Sequence, residues 1–178
     1  MPAPPPQRAR TIALTIAAAV GLTAVFIVGL PWLIFNATSH ITWVALPIGP
    51  LRWLGLPLAA CGLYVYVVSL AQLLHRQTSA LPGLAPSALD TAGWYGRSRN
   101  PLLLGVVAVQ LGTALVAASL ALLAYALAYW AWLHVFVTQR EERDMQQAFG
   151  DAYDRYAAEV PRWIGFRRVR RHHPPRDA

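Results

Sequence analysis

Charge is what this sequence has least of. Only 13% of its residues are Asp, Glu, Lys or Arg, about half the share usual in a soluble domain. Apolar residues make up 56% of the chain and fall in long blocks, so it reads as an integral membrane protein rather than a soluble globule. Its 178 residues leave room for one compact bundle and no sizeable soluble domain. Lysine is absent, and all 15 basic side chains are arginine. With Cys61 as the one cysteine no internal disulfide can form, and metal-ligand spacings are missing. Cys61 lies in an apolar block and reads as a buried small hydrophobe. There is no internal repeat, no Ser-His-Asp arrangement, no phosphate-cradling glycine loop and no basic surface interleaved with aromatics. Nucleic acid is therefore not an expected partner, despite a net charge of +7. That excess lies beside apolar blocks, where membrane orientation and anionic lipid account for it.

What is there divides into four apolar blocks. After a Pro-rich start, Arg8 and Arg10 precede a block at 11–35. It is too long for a signal-peptide core of about 7–15 residues and reads as a retained first span, with a kink expected at Pro31. Residues 36–53 are too short and proline-rich to cross and suggest an interfacial loop. A second span is expected at 54–74, then a polar connection over 77–100 containing Pro82, Gly83, Pro86 and Gly93. The third and fourth spans, at 101–117 and 119–137, form a hairpin with its turn near Ala118 and Ser119. Pro101 suits a helix start. An amphipathic helix over about 139–158 follows, with Met145, Phe149, Ala152, Tyr153 and Tyr156 on one face and a place on the membrane surface. A basic tail at 165–178 is expected to touch anionic headgroups. The fold class is thus all-α, four membrane spans in a single domain. Every arginine but Arg52 falls on one side of it, and the positive-inside rule makes that side, with both termini, cytoplasmic. Gly105 and Gly112 can allow close helix approach, including between copies.

No charged residue interrupts the roughly 40 positions between Arg99 and Arg140, enough for two crossings of about 20 residues each. Two crossings return the chain to the side it left. Tyr95, Arg97, Arg99, Asn100, Glu141, Glu142, Tyr153, Tyr156 and Arg162 are then expected on one aqueous face. Plainer roles exist for each. Arg99 can anchor a span, Asn100-Pro101 can simply start a helix, and Glu141 and Glu142 can favour a helix N-terminus. Tyr153, Tyr156 and Trp163 fit an interfacial belt. Gln110, inside the third span, requires a partner across the bundle. His75 and His134 read as interfacial side chains rather than haem ligands.

The run Gly93-Trp94-Tyr95-Gly96-Arg97-Ser98-Arg99-Asn100-Pro101-Leu102-Leu103-Leu104-Gly105 resembles the loop-to-helix signature of the isoprenylcysteine carboxyl methyltransferase and phospholipid methyltransferase families. A second signature follows the hairpin: Glu141-Glu142, Phe149-Gly150, Tyr153, Tyr156 and Val160-Pro161-Arg162-Trp163-Ile164. The Pro82–Pro86 loop is also similar to bacterial members. Trp94, Gly96 and Leu103 depart from the pattern, which usually has Pro, Arg and Tyr there. Asn100 stands for the His of eukaryotic members and can hydrogen-bond or cap but cannot act as a base.

The resemblance implies an S-adenosylmethionine-dependent methyltransferase in a bacterial inner membrane, acting on a lipophilic, membrane-embedded acceptor. It implies catalytic roles for Arg99, Asn100 and Glu142, and cofactor contacts from Tyr95, Arg99, Asn100, Glu141, Glu142, Tyr153, Tyr156 and Arg162. Carboxylates can hold the cofactor's ammonium or ribose hydroxyls, and Arg99 or Arg162 its carboxylate. A carboxylate acceptor needs no base; an amine acceptor makes Glu142 the leading candidate for one. Carboxyl methylation is the first expectation. Phospholipid or amine N-methylation, and a non-catalytic protein that keeps the fold, are the alternatives.

Overall fold

The computed structural model describes residues 13, 14, 17, 21–75 and 89–165. Expectations for the Pro-rich start, the beginning of the first span, the Pro82–Pro86 loop and the basic tail beyond 165 fall outside the described residues. Among the described residues the fold is all helical, apart from an isolated bridge between Ala45 and Ser119.

The first apolar segment is a π-helical stretch, Thr23–Gly29, running into α1, Leu30–Thr38. Pro31 organises this segment. The Leu30 amide donates to the Val25 carbonyl, five residues back. In that register the amide of residue 31 would bond the Phe26 carbonyl, but proline has no N–H. The Phe26 oxygen instead accepts from Gln110 Nε2 at 3.3 Å and from the Tyr125 hydroxyl at 2.8 Å. Gln110 thus finds its partner across the bundle, as a polar group between apolar helices must.

Two short 3₁₀ segments, Thr42–Val44 and Gly49–Leu54, lead into α2, Gly55–His75. The hairpin consists of α3, Pro101–Val116, and α4, Leu120–Phe136. Its turn falls where expected: Ala118 takes a positive φ of 48°, and the Ser119 hydroxyl caps α4 by accepting from the Leu122 amide. The Leu46 amide donates to the Ala118 carbonyl at 2.7 Å and fastens the 42–48 segment to this turn.

The packing centre is α2 against α3. A Cβ added to Gly62 would lie 2.7 Å from the Gly105 carbonyl oxygen, and one added to Gly112 would lie 2.6 Å from that of Gly55. The pairing of 62 with 105 and 55 with 112 shows an antiparallel, backbone-to-backbone crossing, which only small residues permit. Gly105 and Gly112 are therefore used inside the chain, not as free surface for a second copy. The expectation for Cys61 is corrected: it is exposed. One position from Gly62, it is turned about 100° away from the face that α3 covers.

Among the described residues two helices are long and apolar enough to cross a membrane, Gly49–His75 and Leu120–Phe149, and two are shorter, Ala24–Thr38 and Pro101–Val116. At 16 residues α3 spans about 24 Å, short of the roughly 30 Å of a bilayer core, so four full crossings do not follow from helix length alone.

The expected single surface helix over 139–158 is instead three pieces. A π-helical turn, Val137–Glu141, continues α4 into α5, Glu142–Phe149. Gly150, at φ 49°, then breaks the chain before α6, Asp151–Glu159. The apolar side of α5 and α6 closes on the protein: Tyr153, Tyr156 and Val160 are buried, with Leu89, Met145, Phe149 and Ala157 packed against them. Ala152, expected on that side, is exposed; the packed face runs through Met145, Phe149, Tyr153, Tyr156 and Val160, and Ala152 falls at its edge.

Gly105→Leu should force α2 and α3 apart. The loss expected is at least about 2 kcal/mol, the scale of overpacking where backbone cannot yield. Thermal melting in detergent checks this, with Cys61→Ala, on the exposed face, expected to melt with wild type.

Candidate functional site

The loop before α3 is shaped before it meets its partners. Gly93 takes φ 56° and packs against the Gln72 side chain, where a Cβ would lie 2.7 Å from Oε1. Gln72 Nε2 donates to Asp90 Oδ2 at 2.9 Å and to the Ala92 carbonyl at 2.8 Å. A 3₁₀ turn, Gly93–Gly96, follows; in it the Trp94 ring meets Tyr64 edge-on and lies under the Arg97 guanidinium. The chain then turns into α3 at Asn100, whose side chain makes no cap on its own helix. Asn100 Nδ2 donates instead to the Arg162 carbonyl at 3.1 Å, and the Ser98 hydroxyl donates to the same oxygen at 3.2 Å. The Arg99 amide donates to the Pro161 carbonyl at 2.9 Å. This loop and the segment after α6 are thereby stitched together by backbone.

The side chains close the stitch. Glu142 Oε1 accepts from Arg99 Nη1 and from Arg162 Nε, each at 2.7 Å, and Oε2 accepts from Arg162 Nη2 at 2.7 Å. Arg162 thus grips the carboxylate with two donors, the strong planar geometry for this pair. Glu142 and Arg99 are largely withdrawn from water, with side chains 18% and 13% exposed; Arg162 is more open, at 31%. The hydrogen bond to Glu142 holds the Arg162 pKa above its ordinary value, more than burial lowers it. Arg99 Nη1 also donates to the Tyr153 hydroxyl at 3.2 Å, while Arg99 Nε is buried with no acceptor. The Tyr156 hydroxyl donates to the Tyr95 carbonyl at 2.7 Å.

The π turn aims Glu142 at this cluster. Buried positions along α4 are Leu122, Ala126 and Leu133, and Val137 continues that face. A regular α-helix would carry it next to 140 or 141. The Glu142 amide bonds the Val137 carbonyl across five residues, and the extra residue brings 142 into the inward phase. Such turns recur at functional sites.

Glu141 differs from its neighbour. Its side chain is open to solvent, yet protein crowds it enough that desolvation, then the charges of Glu142 and Asp144, push its carboxyl up to about 7. The Glu141 charge is felt at Tyr95, whose hydroxyl is pushed well above its ordinary value, first by desolvation and then by Glu141, Asp90 and Tyr156. Tyr153 and Tyr156 are shifted upward too, chiefly by burial, so all three phenols stay protonated donors.

The expected residues therefore assemble. Arg99, Asn100, Glu142, Tyr153 and Arg162 are linked by direct side-chain and backbone hydrogen bonds, Tyr95 is tied in through its carbonyl to Tyr156, and Glu141 stands beside them. Arg97 departs from the group and lies over Trp94. Among the described residues of this group, Arg99 Nε, the Tyr95 hydroxyl and the Glu141 carboxyl keep donor or acceptor capacity for a ligand. Sequence reasoning missed Gln72, Asp90 and Ser98, which shape the loop, because their contacts follow no fixed spacing. His134 accepts from Trp163 Nε1 at 3.0 Å, and neither stands alone at the interface.

A family model described as phospholipid methyltransferase matches residues 51–152, from the start of the α2 segment into α6. No curated protein matches the chain.

Removing the shared carboxylate leaves two guanidinium groups facing each other. Glu142→Ala should cost about 2–4 kcal/mol, near the scale for breaking a buried pair, and Arg162→Ala less, since Glu142 keeps Arg99. Denaturation in detergent checks the order. Glu141 behaves in the opposite sense. Its folded carboxyl holds the proton more tightly than the ordinary 4.5, so this group costs the fold stability as pH rises from about 4.5 through about 7. Glu141→Gln should melt above wild type on the alkaline side of that window and together with it on the acid side.

Proposed function

The chain belongs to the phospholipid methyltransferase family, and from that premise we propose that it transfers a methyl group from S-adenosylmethionine to a lipophilic acceptor held in the membrane. The observation that carries this reading is the Arg99–Glu142–Arg162 cluster, with a buried Arg99 Nε still lacking an acceptor and the Glu141 carboxyl at the rim. Such a cofactor supplies, when bound, a sulfonium-activated methyl group together with a carboxylate, an ammonium and ribose hydroxyls. The donor set suits it. Arg99 offers an unsatisfied N–H to a carboxylate oxygen, Glu141 accepts from an ammonium or hydroxyl, and the protonated Tyr95 phenol donates. Glu142 keeps Arg99 and Arg162 in place, and Asn100 and Ser98 fix the loop to the Arg162 backbone. Held groups of this kind lower the barrier to an in-line displacement by alignment. Four crossings with both termini cytoplasmic, in a bacterial inner membrane, complete the reading. They rest on the arginine asymmetry and the antiparallel helix order.

Two acceptor classes fit. Carboxyl methylation, as in the isoprenylcysteine enzymes, requires no base. Amine methylation, as the family's description suggests, requires a proton acceptor, and here the site favours Glu141 over Glu142. Both Glu142 oxygens already accept guanidinium N–H, whereas a carboxyl near 7 is well matched to taking a proton at neutral pH.

Labelled cofactor incubated with membranes containing the protein should transfer label to extracted lipid, and Arg99→Ala should reduce that transfer by tenfold or more. Label released by mild base identifies an ester; label that resists identifies an amine, and then the rate should rise through about pH 7 and Glu141→Gln should abolish that limb. No cofactor binding by purified wild type, with Arg99→Ala indistinguishable from it, rejects the enzyme reading.

A further inference from the structure

On the opposite side of the hairpin's second helix lies a cavity of about 370 Å³ lined by Trp132, Val135, Phe136, Gln139, Arg140 and Arg143. It contains no residue of the Arg99–Glu142–Arg162 cluster. We infer that this groove binds the phosphate of an anionic membrane phospholipid, with the lipid's glycerol and acyl portion lying along Trp132, Val135 and Phe136.

The order of side chains makes the case. The six residues recur at steps of three and one, so they form one stripe about 16 Å long down a single helix face. The upper half is apolar and continues an aromatic ladder: Tyr125 stacks on Tyr129 at 6.1 Å, Tyr129 on Trp132 at 5.7 Å, and Trp132 on Phe136 at 5.7 Å. Phe26 of the first segment lies against Tyr129 and Trp132 and walls the ladder on one side. The lower half is Gln139, Arg140 and Arg143, all exposed. Among the described residues neither guanidinium has a carboxylate partner. The change from rings to guanidinium groups comes where the helix leaves its apolar stretch, at the depth of lipid phosphates in a membrane reading of α4. The π turn that sends Glu142 inward leaves Arg140 and Arg143 on this outer side.

Charge complementarity selects the occupant. A second copy would have to bring acidic groups, and the chain has 8 acidic against 15 basic residues, with Glu142 already paired. Anionic phospholipid is the abundant anion at that depth, and each basic side chain near such a surface contributes about 1 kcal/mol.

The test is lipid retention by the full chain in nanodiscs of phosphatidylcholine with increasing phosphatidylglycerol, read by native mass spectrometry. Wild type should keep phosphatidylglycerol in preference to phosphatidylcholine. R140Q/R143Q should weaken that preference about 30-fold, two such contributions together, and W132A should weaken retention of both lipids. R155Q, an exposed arginine on α6, should leave retention unchanged. Equal phosphatidylglycerol retention by wild type and R140Q/R143Q overturns the inference. So does loss of retention on deleting residues 166–178 alone, which would assign the lipid to the tail. If the double variant does not fold, R140Q and R143Q separately must each lower the preference about fivefold, and failure of both to do so is equally fatal. None of these outcomes depends on methyl transfer.

Discussion

One carboxylate holding two guanidinium groups is the constraint on which this end of the molecule depends. Arg99 comes from the loop ahead of α3, Glu142 from the end of the α4 helix, and Arg162 from the segment after α6, so the three charges tie together three parts of the chain. Arg99 and Glu142 are shielded enough for the attraction to exceed that of a surface pair. They are not so deeply buried that desolvation cancels it. The backbone bonds from Asn100, Ser98 and Arg99 to the carbonyls of Pro161 and Arg162 take effect only once those segments are adjacent. The charge cluster and the backbone seam therefore support each other, and removing either loosens the site at which Arg99 and Glu141 stand.

The helices below deliver that cluster by two different devices. Between α2 and α3 the device is absence of side chain: glycine against glycine brings the backbones so close that their relative height is set to within a residue. Along α4 the device is an extra residue. The π turn rotates everything beyond Val137 relative to the apolar helix above it, so Glu142 faces the bundle. Register from the glycines and phase from the π turn together decide which side chains meet.

Much of this was readable in the sequence, and the unreadable parts have physical reasons. The hairpin, its turn at Ala118 and Ser119, and the meeting of Arg99 with Glu142 follow from an uncharged interval of the right length. That argument needs only the geometry of two antiparallel helices. Helix phase was not readable, because a period-based reading assumes 3.6 residues per turn throughout; the π turn at Val137–Glu141 and the break at Gly150 violate it. Cys61 was misread because every residue of an apolar helix looks buried until the packed face is known, and in lipid an apolar residue loses nothing by facing outward. The bonds that Gln72 and Ser98 donate to backbone carbonyls, and those that Asp90 accepts from Gln72 and the Ala92 amide, leave no pattern, since such contacts have no required spacing.

The sharpest instance is the pair of adjacent glutamates. In the sequence Glu141 and Glu142 stand side by side in one signature, both expected at the cofactor, with Glu142 the expected base for an amine acceptor. Their surroundings then diverge. Three guanidinium N–H groups hold both oxygens of Glu142. Desolvation, and after it the charges of Glu142 and Asp144, push the Glu141 carboxyl up to about 7. One carboxylate is committed to holding the architecture, while among the described residues the other has no guanidinium partner. The one-residue offset of the π turn determines which is which: an uninterrupted α-helix would turn Glu141 toward the arginines and leave Glu142 outside.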